Sequence, residues 1–197
     1  ICCLIILGGI GFIVTVDLYN WGRKRVRKEE RRPHLTLHTR IVLVSTVSLL
    51  VLGTVLTLGL EYDHTLKDLN FWEKLNASFF QSVTARTAGY ATIPQGELGD
   101  ATKLVTIILM FIGASPSSTG GGIKTTTFVV LVATVVSISR GRDETVINKR
   151  RVDKSVVYRA MTIVAMAFLV IAITSGVIMV TTPPEVSAID AVYEAVS

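Results

Sequence analysis

Charge-free blocks of different lengths alternate with charged ones along this chain, and their lengths predict the elements. Ile41 to Leu60 is twenty residues without a charge. At about 1.5 Å per helical residue it reaches about 30 Å, the thickness of a bilayer core. Ala160 to Pro184 is a second charge-free stretch, and its terminal Pro183-Pro184 stops a helix. Residues 104–139 carry one charge, Lys124, in 36 positions. That is too long for one straight span and too short for two spans and a turn. Ile1 to Val16 is also apolar and reads as the end of a further span. The pattern thus predicts membrane helices over 41–60 and 160–182, a truncated one over 1–20, and a long interrupted one over 104–139.

The charged blocks have a side. Residues 22–40 hold eight basic residues, among them Lys28, Arg31 and Arg32, and residues 140–159 hold seven, among them Lys149. The segment 61–100 is mixed in sign. The positive-inside bias puts both basic loops in the cytoplasm and 61–100 outside. Fixing topology accounts for them; binding of anionic lipid or of a partner is the competing reading. Trp21 and Trp72 fall beside the expected interfaces, where aromatic belts sit.

Within 61–100, Leu75 to Ala85 is an uncharged run of eleven residues. As a helix it reaches about 16 Å, half a bilayer. With both flanks outside, the simplest geometry is a re-entrant half-helix followed by an extended return, Arg86 to Pro94. Non-helical backbone at membrane depth is tolerated where it is buried in protein or lines a wet cavity. Carbonyls free of other partners there can replace an ion's hydration shell. Thr87, Ala88, Gly89 and Tyr90 have the residue types for such a filter, and Gly89 permits positive φ. A surface amphipathic helix capped by Gly89 is the alternative. Asp190 to Ser197 lies without gaps on Ala77 to Thr84, with Val196 on Val83 and Ser197 on Thr84. A span followed by a half-helix therefore begins again at Ala160, which reads as a repeat.

The interrupted span is helical from Leu104 to Ile112 and apolar again from Phe128 to Ile138. Between them Gly113, Pro116, Gly120, Gly121 and Gly122 fall within ten residues, which do not hold a regular helix. The loop, with Ser115, Ser118 and Thr119, then lies at membrane depth. Lys124 costs about 2.5–3.5 kcal/mol if it faces lipid, so a cavity or the cytoplasmic mouth is expected for it. A phosphate-binding loop is excluded because Ile123 separates Gly122 from Lys124. An intramembrane serine protease lacks its base, since His34, His38 and His64 lie outside the apolar runs. A simple packing kink remains open beside a functional loop.

Composition adds limits. Half of the 197 residues are hydrophobic and 18% charged, against about 25% in a soluble domain. Mean hydropathy is +0.54 and the pI about 9.4. A pI of that size suits nucleic-acid binding, but the two basic loops beside apolar spans account for it, so no nucleic acid is expected. Two adjacent cysteines, Cys2 and Cys3, make neither a disulfide framework nor a four-ligand metal site. The chain opens on Ile1 inside an apolar run and reads as a fragment. No enzyme activity and no bound cofactor are expected.

At Phe79-Phe-Gln-Ser-Val-Thr-Ala-Arg-Thr-Ala-Gly-Tyr90 and Met110-Phe-Ile-Gly-Ala-Ser-Pro-Ser-Ser-Thr-Gly-Gly-Gly-Ile-Lys-Thr-Thr-Thr127 the chain resembles the Trk/Ktr/HKT superfamily of potassium transporters. Within it the chain resembles the bacterial KtrB-like membrane subunits. Leu4 to Phe12 is similar to the end of that family's second inner helix, and Leu35 to Arg40 to the approach to its third outer helix. The resemblance implies an all-α membrane protein of outer-helix, pore-loop, inner-helix repeats around one pore. Residues 1–20 would close repeat two, 21–40 would be a cytoplasmic linker, 41–139 repeat three, 140–159 a cytoplasmic loop, and 160–197 the start of repeat four. Repeat three would hold an outer helix 41–60, a pore helix 75–85, a filter 86–91 and the broken inner helix 104–139; a second pore helix would begin at 190–197. Thr87 to Tyr90 would supply one quarter of a filter whose carbonyls hold potassium, or sodium. Gly113, Ser115, Pro116, Ser118, Thr119, Gly120, Gly121, Gly122 and Lys124 would belong to a gate below it. Tyr90 stands where Phe is common, and Ala114, Ser117 and Gly120 where Gly, Gly and Ala are common. The family further implies potassium uptake driven by membrane potential, with or without sodium, in a bacterial plasma membrane. It implies a homodimer and a cytoplasmic ring of nucleotide-binding regulatory subunits. A non-transporting assembly or sensor module is the alternative.

Overall fold

A computed structural model describes residues 1–27, 34–142, 144–147, 150–182 and 186–197. Lys28, Arg31, Arg32, Lys149, Pro183 and Pro184, used above, lie outside the described residues. Among the described residues the fold is all-α apart from one two-residue strand pair and an isolated bridge. Helices α1 (Cys2–Ile10) and α2 (Phe12–Val26) are followed by α3 (Leu37–Glu61) and α4 (Phe71–Thr84). Then come α5 (Asp100–Phe111), α6 (Thr125–Ser139), α7 (Lys154–Thr181) and α8 (Ala188–Val196). Among the described residues α3 and α7 are long and apolar enough to cross a membrane, and α1 with α2 make a third candidate if the bent pair is one span.

The first segment departs from the expectation of a single straight helix end. It bends by 95° between α1 and α2. The hinge is Gly11, at φ 90° and ψ 150°, a left-handed conformation that favours glycine. Beyond the bend, Asp17 turns toward the next helix. Its Oδ2 accepts from the Thr36 backbone N–H at 3.1 Å, from Thr36 Oγ1 at 2.9 Å and from Thr39 Oγ1 at 2.5 Å. Thr36 is the N-cap of α3, so the carboxylate lies at the positive end of that helix. This cap starts α3 at Leu37, four residues before the charge-free run begins.

One face of α3 is buried, at Val42, Thr46, Leu50, Gly53, Thr54 and Thr57. The residues between them, Val44, Val47, Val51 and Val55, are exposed by more than half. Small and hydroxyl side chains inside with branched apolar ones outside is the membrane arrangement, since lipid already solvates the valines. Gly53 lets α3 and α4 approach: a Cβ there would overlap Ser82 Oγ and lie 2.7 Å from Leu109 Cδ1. Ser82 Oγ also donates to the Leu50 carbonyl at 2.9 Å.

Helix α4 also starts earlier than its uncharged run. Asn70 and Glu73 form a capping box: the Asn70 side chain accepts from Phe71 N at 2.8 Å, and Glu73 Oε2 accepts from Asn70 N at 3.0 Å. Lys74, inside the first turn, is buried with its charge satisfied. Its Nζ donates to the Tyr62 carbonyl at 2.8 Å and sits 3.8 Å from the Tyr62 ring centroid. With 14 residues α4 reaches about 21 Å, still short of the bilayer core.

The stretch 104–139 is two helices, α5 and α6, separated by residues 112–124. The basic loop after α6 contains a short antiparallel pair, β1 (Val146–Ile147) with β2 (Arg150–Arg151). Helix α7 begins at Lys154, six residues before its charge-free run, and α8 follows as a nine-residue helix. Helix α8 is tied to α5 by Lys103 Nζ and Asp190 Oδ1 at 2.6 Å, and to the 95–97 turn by Tyr193 Oη donating to Gln95 Oε1 at 2.6 Å.

Candidate ion pathway

The chain leaves α4 at Thr84 in a tight turn, not in the extended form expected from its sequence. Arg86 N donates to the Val83 carbonyl at 3.2 Å and Ala88 N to the Thr84 carbonyl at 3.1 Å. Thr87 is at φ 65° and Gly89 at φ 75°. Left-handed residues at alternate positions reorient successive peptide planes, and a threonine held there costs strain of order 1–3 kcal/mol. The carbonyls of Arg86, Thr87, Ala88 and Gly89 accept no hydrogen bond from any described residue. Tyr90 differs. Its N–H donates to Thr84 Oγ1 at 2.9 Å, and its carbonyl accepts from the same hydroxyl at 2.5 Å. Thr84 therefore clamps the end of the segment, and the Tyr90 carbonyl is occupied.

Two cavities meet at this segment. One of about 360 Å³ lies between it, α5 and α8, and is lined by Thr84, Gly89, Tyr90, Thr106, Tyr193 and Glu194 among others. The other, about 230 Å³, lies toward α1 and the 112–124 loop, with Gly8, Gly9, Arg86, Thr87, Thr119 and Gly120 in its wall. The C-terminal end of α4, the negative end of its dipole, points into this region, which favours a cation. Among the described residues no group of three His, Cys, Asp or Glu side chains stands together.

The 112–124 loop leaves and rejoins the helices at one place. Ile112 and Ile123 form a parallel bridge, Ile123 N donates to the Phe111 carbonyl at 3.0 Å, and Ala114 N donates to the Gly121 carbonyl at 3.2 Å. The two strands of this neck touch through glycine. A Cβ at Gly122 would be 2.8 Å from Gly113 Cα, and one at Gly113 would overlap the Gly121 carbonyl. Ser115 is fully buried, with its hydroxyl 3.2 Å from Thr125 Oγ1. Ser118 Oγ is buried without a partner among the described residues. Lys124 Nζ donates to the Gly120 carbonyl at 2.7 Å and lines a cavity of about 520 Å³ between α5, α7 and α8.

The filter and loop residues expected from sequence come together. Gly121 N donates to Thr87 Oγ1 at 3.0 Å, and a Cβ at Gly120 would meet Ala114 Cβ and Thr87 Oγ1. Pro116, Ser117 and Thr119 lie instead against α1 and the bend after it. Ser115 N donates to the Gly9 carbonyl at 3.0 Å, Thr119 N to the Gly8 carbonyl at 3.4 Å, and Phe12 N to the Ser117 carbonyl at 3.0 Å. Sequence reasoning passed over Arg86. It is 8% exposed, and its Nη2 donates to the Gly113 carbonyl at 3.4 Å, linking the filter segment to the loop's neck. A lone arginine at membrane depth was the available signal.

The sequence profile of the TrkH family, described as cation transport protein, matches residues 1–197. The chain is 35% identical over 196 residues to Ktr system potassium uptake protein B of Bacillus subtilis, covering 98% of this chain and 42% of that protein. It is 37% identical over 192 residues to potassium/sodium uptake protein NtpJ of Enterococcus hirae, covering 96% of this chain and 41% of that one. The crystal structure of the potassium transporter TrkH from Vibrio parahaemolyticus superposes with a TM-score of 0.71 at 17% identity, over 99% of this chain and 42% of TrkH, a likeness of fold. The chain thus spans about two fifths of the length of these relatives. It is a membrane protein, and it belongs to the TrkH family of cation transport proteins.

Proposed function

We propose that this chain is part of the pore-forming subunit of a potassium uptake system, contributing one filter segment and one intramembrane gate. The observation that carries the reading is the run of carbonyls from Arg86 to Gly89, without a partner among the described residues, at the foot of a half-length helix. In a membrane such groups need a partner, and a dehydrated monovalent cation is one. Thr87, Ala88 and Gly89 are then the ligands; Tyr90, clamped by Thr84, is the strut that ends the filter. Gly113 to Lys124 cross beneath it and block the path.

Residues 41–139 act as one outer-helix, pore-loop, inner-helix repeat, 1–20 as the end of the repeat before it and 160–197 as the start of the next. The basic loops 21–40 and 140–159 lie in the cytoplasm, and the membrane is the bacterial plasma membrane. A potential of 100 mV supplies about 2.3 kcal/mol per elementary charge, enough to concentrate a monovalent cation without hydrolysis in this subunit. The names of the relatives, a uptake system with lettered components, favour a multi-component assembly. A homodimer joined by a cytoplasmic nucleotide-binding ring fits that arrangement.

Potassium-limited growth of a transport-deficient bacterium carrying the complete gene tests the reading. Rescue is expected, and Gly89→Asp should abolish it or relax potassium preference over sodium. Absence of rescue would favour a non-transporting module. Rescue with Gly89→Asp indistinguishable from the parent would remove the filter assignment.

A further inference from the structure

We infer that the bend at Gly11 is the seat of the gate loop, and that loop and helix exchange the same hydrogen bonds when the gate moves. The inference rests on the gate assignment above. In a continuous helix through residues 8–13, Phe12 N would donate to the Gly8 carbonyl and Ile13 N to the Gly9 carbonyl. Here the 95° bend separates those pairs. The loop takes up what the bend releases. Thr119 N occupies the Gly8 carbonyl, Ser115 N occupies the Gly9 carbonyl, and the Ser117 carbonyl receives Phe12 N. If the loop withdraws, the Gly8 and Gly9 carbonyls and Phe12 N are left bare at membrane depth, where each unmet group is costly. Rotation of Gly11 out of φ 90° into the helical region meets these three within the helix. Loop seated with helix bent, and loop withdrawn with helix continuous, are therefore two states in which the Gly8 and Gly9 carbonyls and Phe12 N each have a partner.

Gly11 and Ile13 are the positions at which this exchange can be pushed in opposite directions. A Cβ on Gly11 would lie 2.5 Å from the Pro116 carbonyl oxygen and 3.3 Å from the Ser117 carbonyl carbon. Alanine also disfavours positive φ, and its helix preference over glycine alone is about a fivefold shift. Gly11→Ala thus favours the continuous helix and the withdrawn loop. Proline at position 13 does the reverse. In the bent form Ile13 N has no backbone partner among the described residues, it lies in the first turn of α2, and the Ile13 side chain is 50% exposed. The Phe12 N–H that holds the Ser117 carbonyl stays in place. A continuous helix with proline at 13 would lack the N–H for the Gly9 carbonyl and clash with it.

The test uses the complete gene product in potassium-starved cells, with initial uptake rates and a cysteine at Ser118 to report the loop. Cys2 and Cys3 are replaced by alanine in the reporter background. Gly11→Ala should raise uptake about fivefold and speed labelling of Ser118→Cys by a water-soluble thiol reagent. Ile13→Pro should lower both below the parent. Gly22→Ala, which adds helix preference in α2 where nothing lies within 4 Å, should change neither. Deleting Ser117 to Gly121 should raise uptake and make the Gly11 and Ile13 variants indistinguishable from the deletion alone. If Ile13→Pro moves uptake and labelling in the same direction as Gly11→Ala, the loop merely docks and the exchange is wrong. Unaltered labelling in both variants also overturns it. If Gly11→Ala does not accumulate as a folded protein, Ile13→Pro and its labelling decide alone. A deletion without effect on uptake removes the gate itself, and the exchange with it, while leaving the Gly89 test untouched.

Discussion

Thr84 fixes the end of the 85–90 segment. One hydroxyl receives the Tyr90 N–H and donates to the Tyr90 carbonyl, closing a loop of six residues across its base. Among the described residues, nothing donates to the carbonyls of Arg86 to Gly89 in between. Thr84→Val keeps the volume and removes both hydrogen bonds, a loss of roughly 1–3 kcal/mol because the Tyr90 groups are left unmet. Uptake should persist while discrimination between potassium and sodium falls, as read by competition with sodium during potassium uptake. Unchanged discrimination would make the clamp irrelevant to the filter. Thr84 was not singled out in the sequence: a threonine ending an apolar run carries no mark of a bond six residues away. Gly89 was legible because glycine permits the positive φ that turns a carbonyl out of line, and it adopts φ 75°. The positive φ of Thr87, φ 65°, was not, since the Gly121 N–H that meets its side chain comes from a loop remote in sequence.

Among the elements, α3 and α4 show what pattern reading captures and where it stops. The charge-free block located α3 but placed its start at 41, because the cap at Thr36 and the Asp17 carboxylate that completes it belong to polar sequence. The same held for α4, whose capping box over Asn70 and Glu73 lies among charges that an apolar count discards. The bend between α1 and α2 was missed for a different reason. Hydropathy is continuous through it, and only the glycines at 8, 9 and 11 hint at a break. Close contact of α3 with α4 depends on Gly53. Gly53→Ala should destabilise the detergent-solubilised protein by about 1–3 kcal/mol through overpacking against Ser82 and Leu109. Gly59→Ala, on the same helix with open space around it, should raise the melting temperature slightly or keep it, and never lower it. Equal melting temperatures for both variants would mean that α4 yields freely.

At the scale of the molecule, charges and apolar lengths were enough to indicate an all-α membrane fold with a short helix between longer ones and an interruption within 104–139. They were not enough to join them. The meeting of Thr87 with Gly121, of Arg86 with Gly113 and of the loop with α1 links residues 27 or more positions apart, and pattern along the chain does not report such distances. What the joined structure adds is one continuous arrangement: the 84–90 segment bonded to the 112–124 loop, and that loop bonded to the bend between α1 and α2. Its central claim is that the bare carbonyls of residues 87–89 touch the permeating ion. The direct measurement is anomalous diffraction from the complete protein soaked with rubidium or thallium, which stand in for potassium. An anomalous peak within coordination distance of the Thr87, Ala88 and Gly89 carbonyls is the predicted result. Ordered carbonyls in that map, with the heavy cation bound elsewhere along the pore and none beside them, would contradict it.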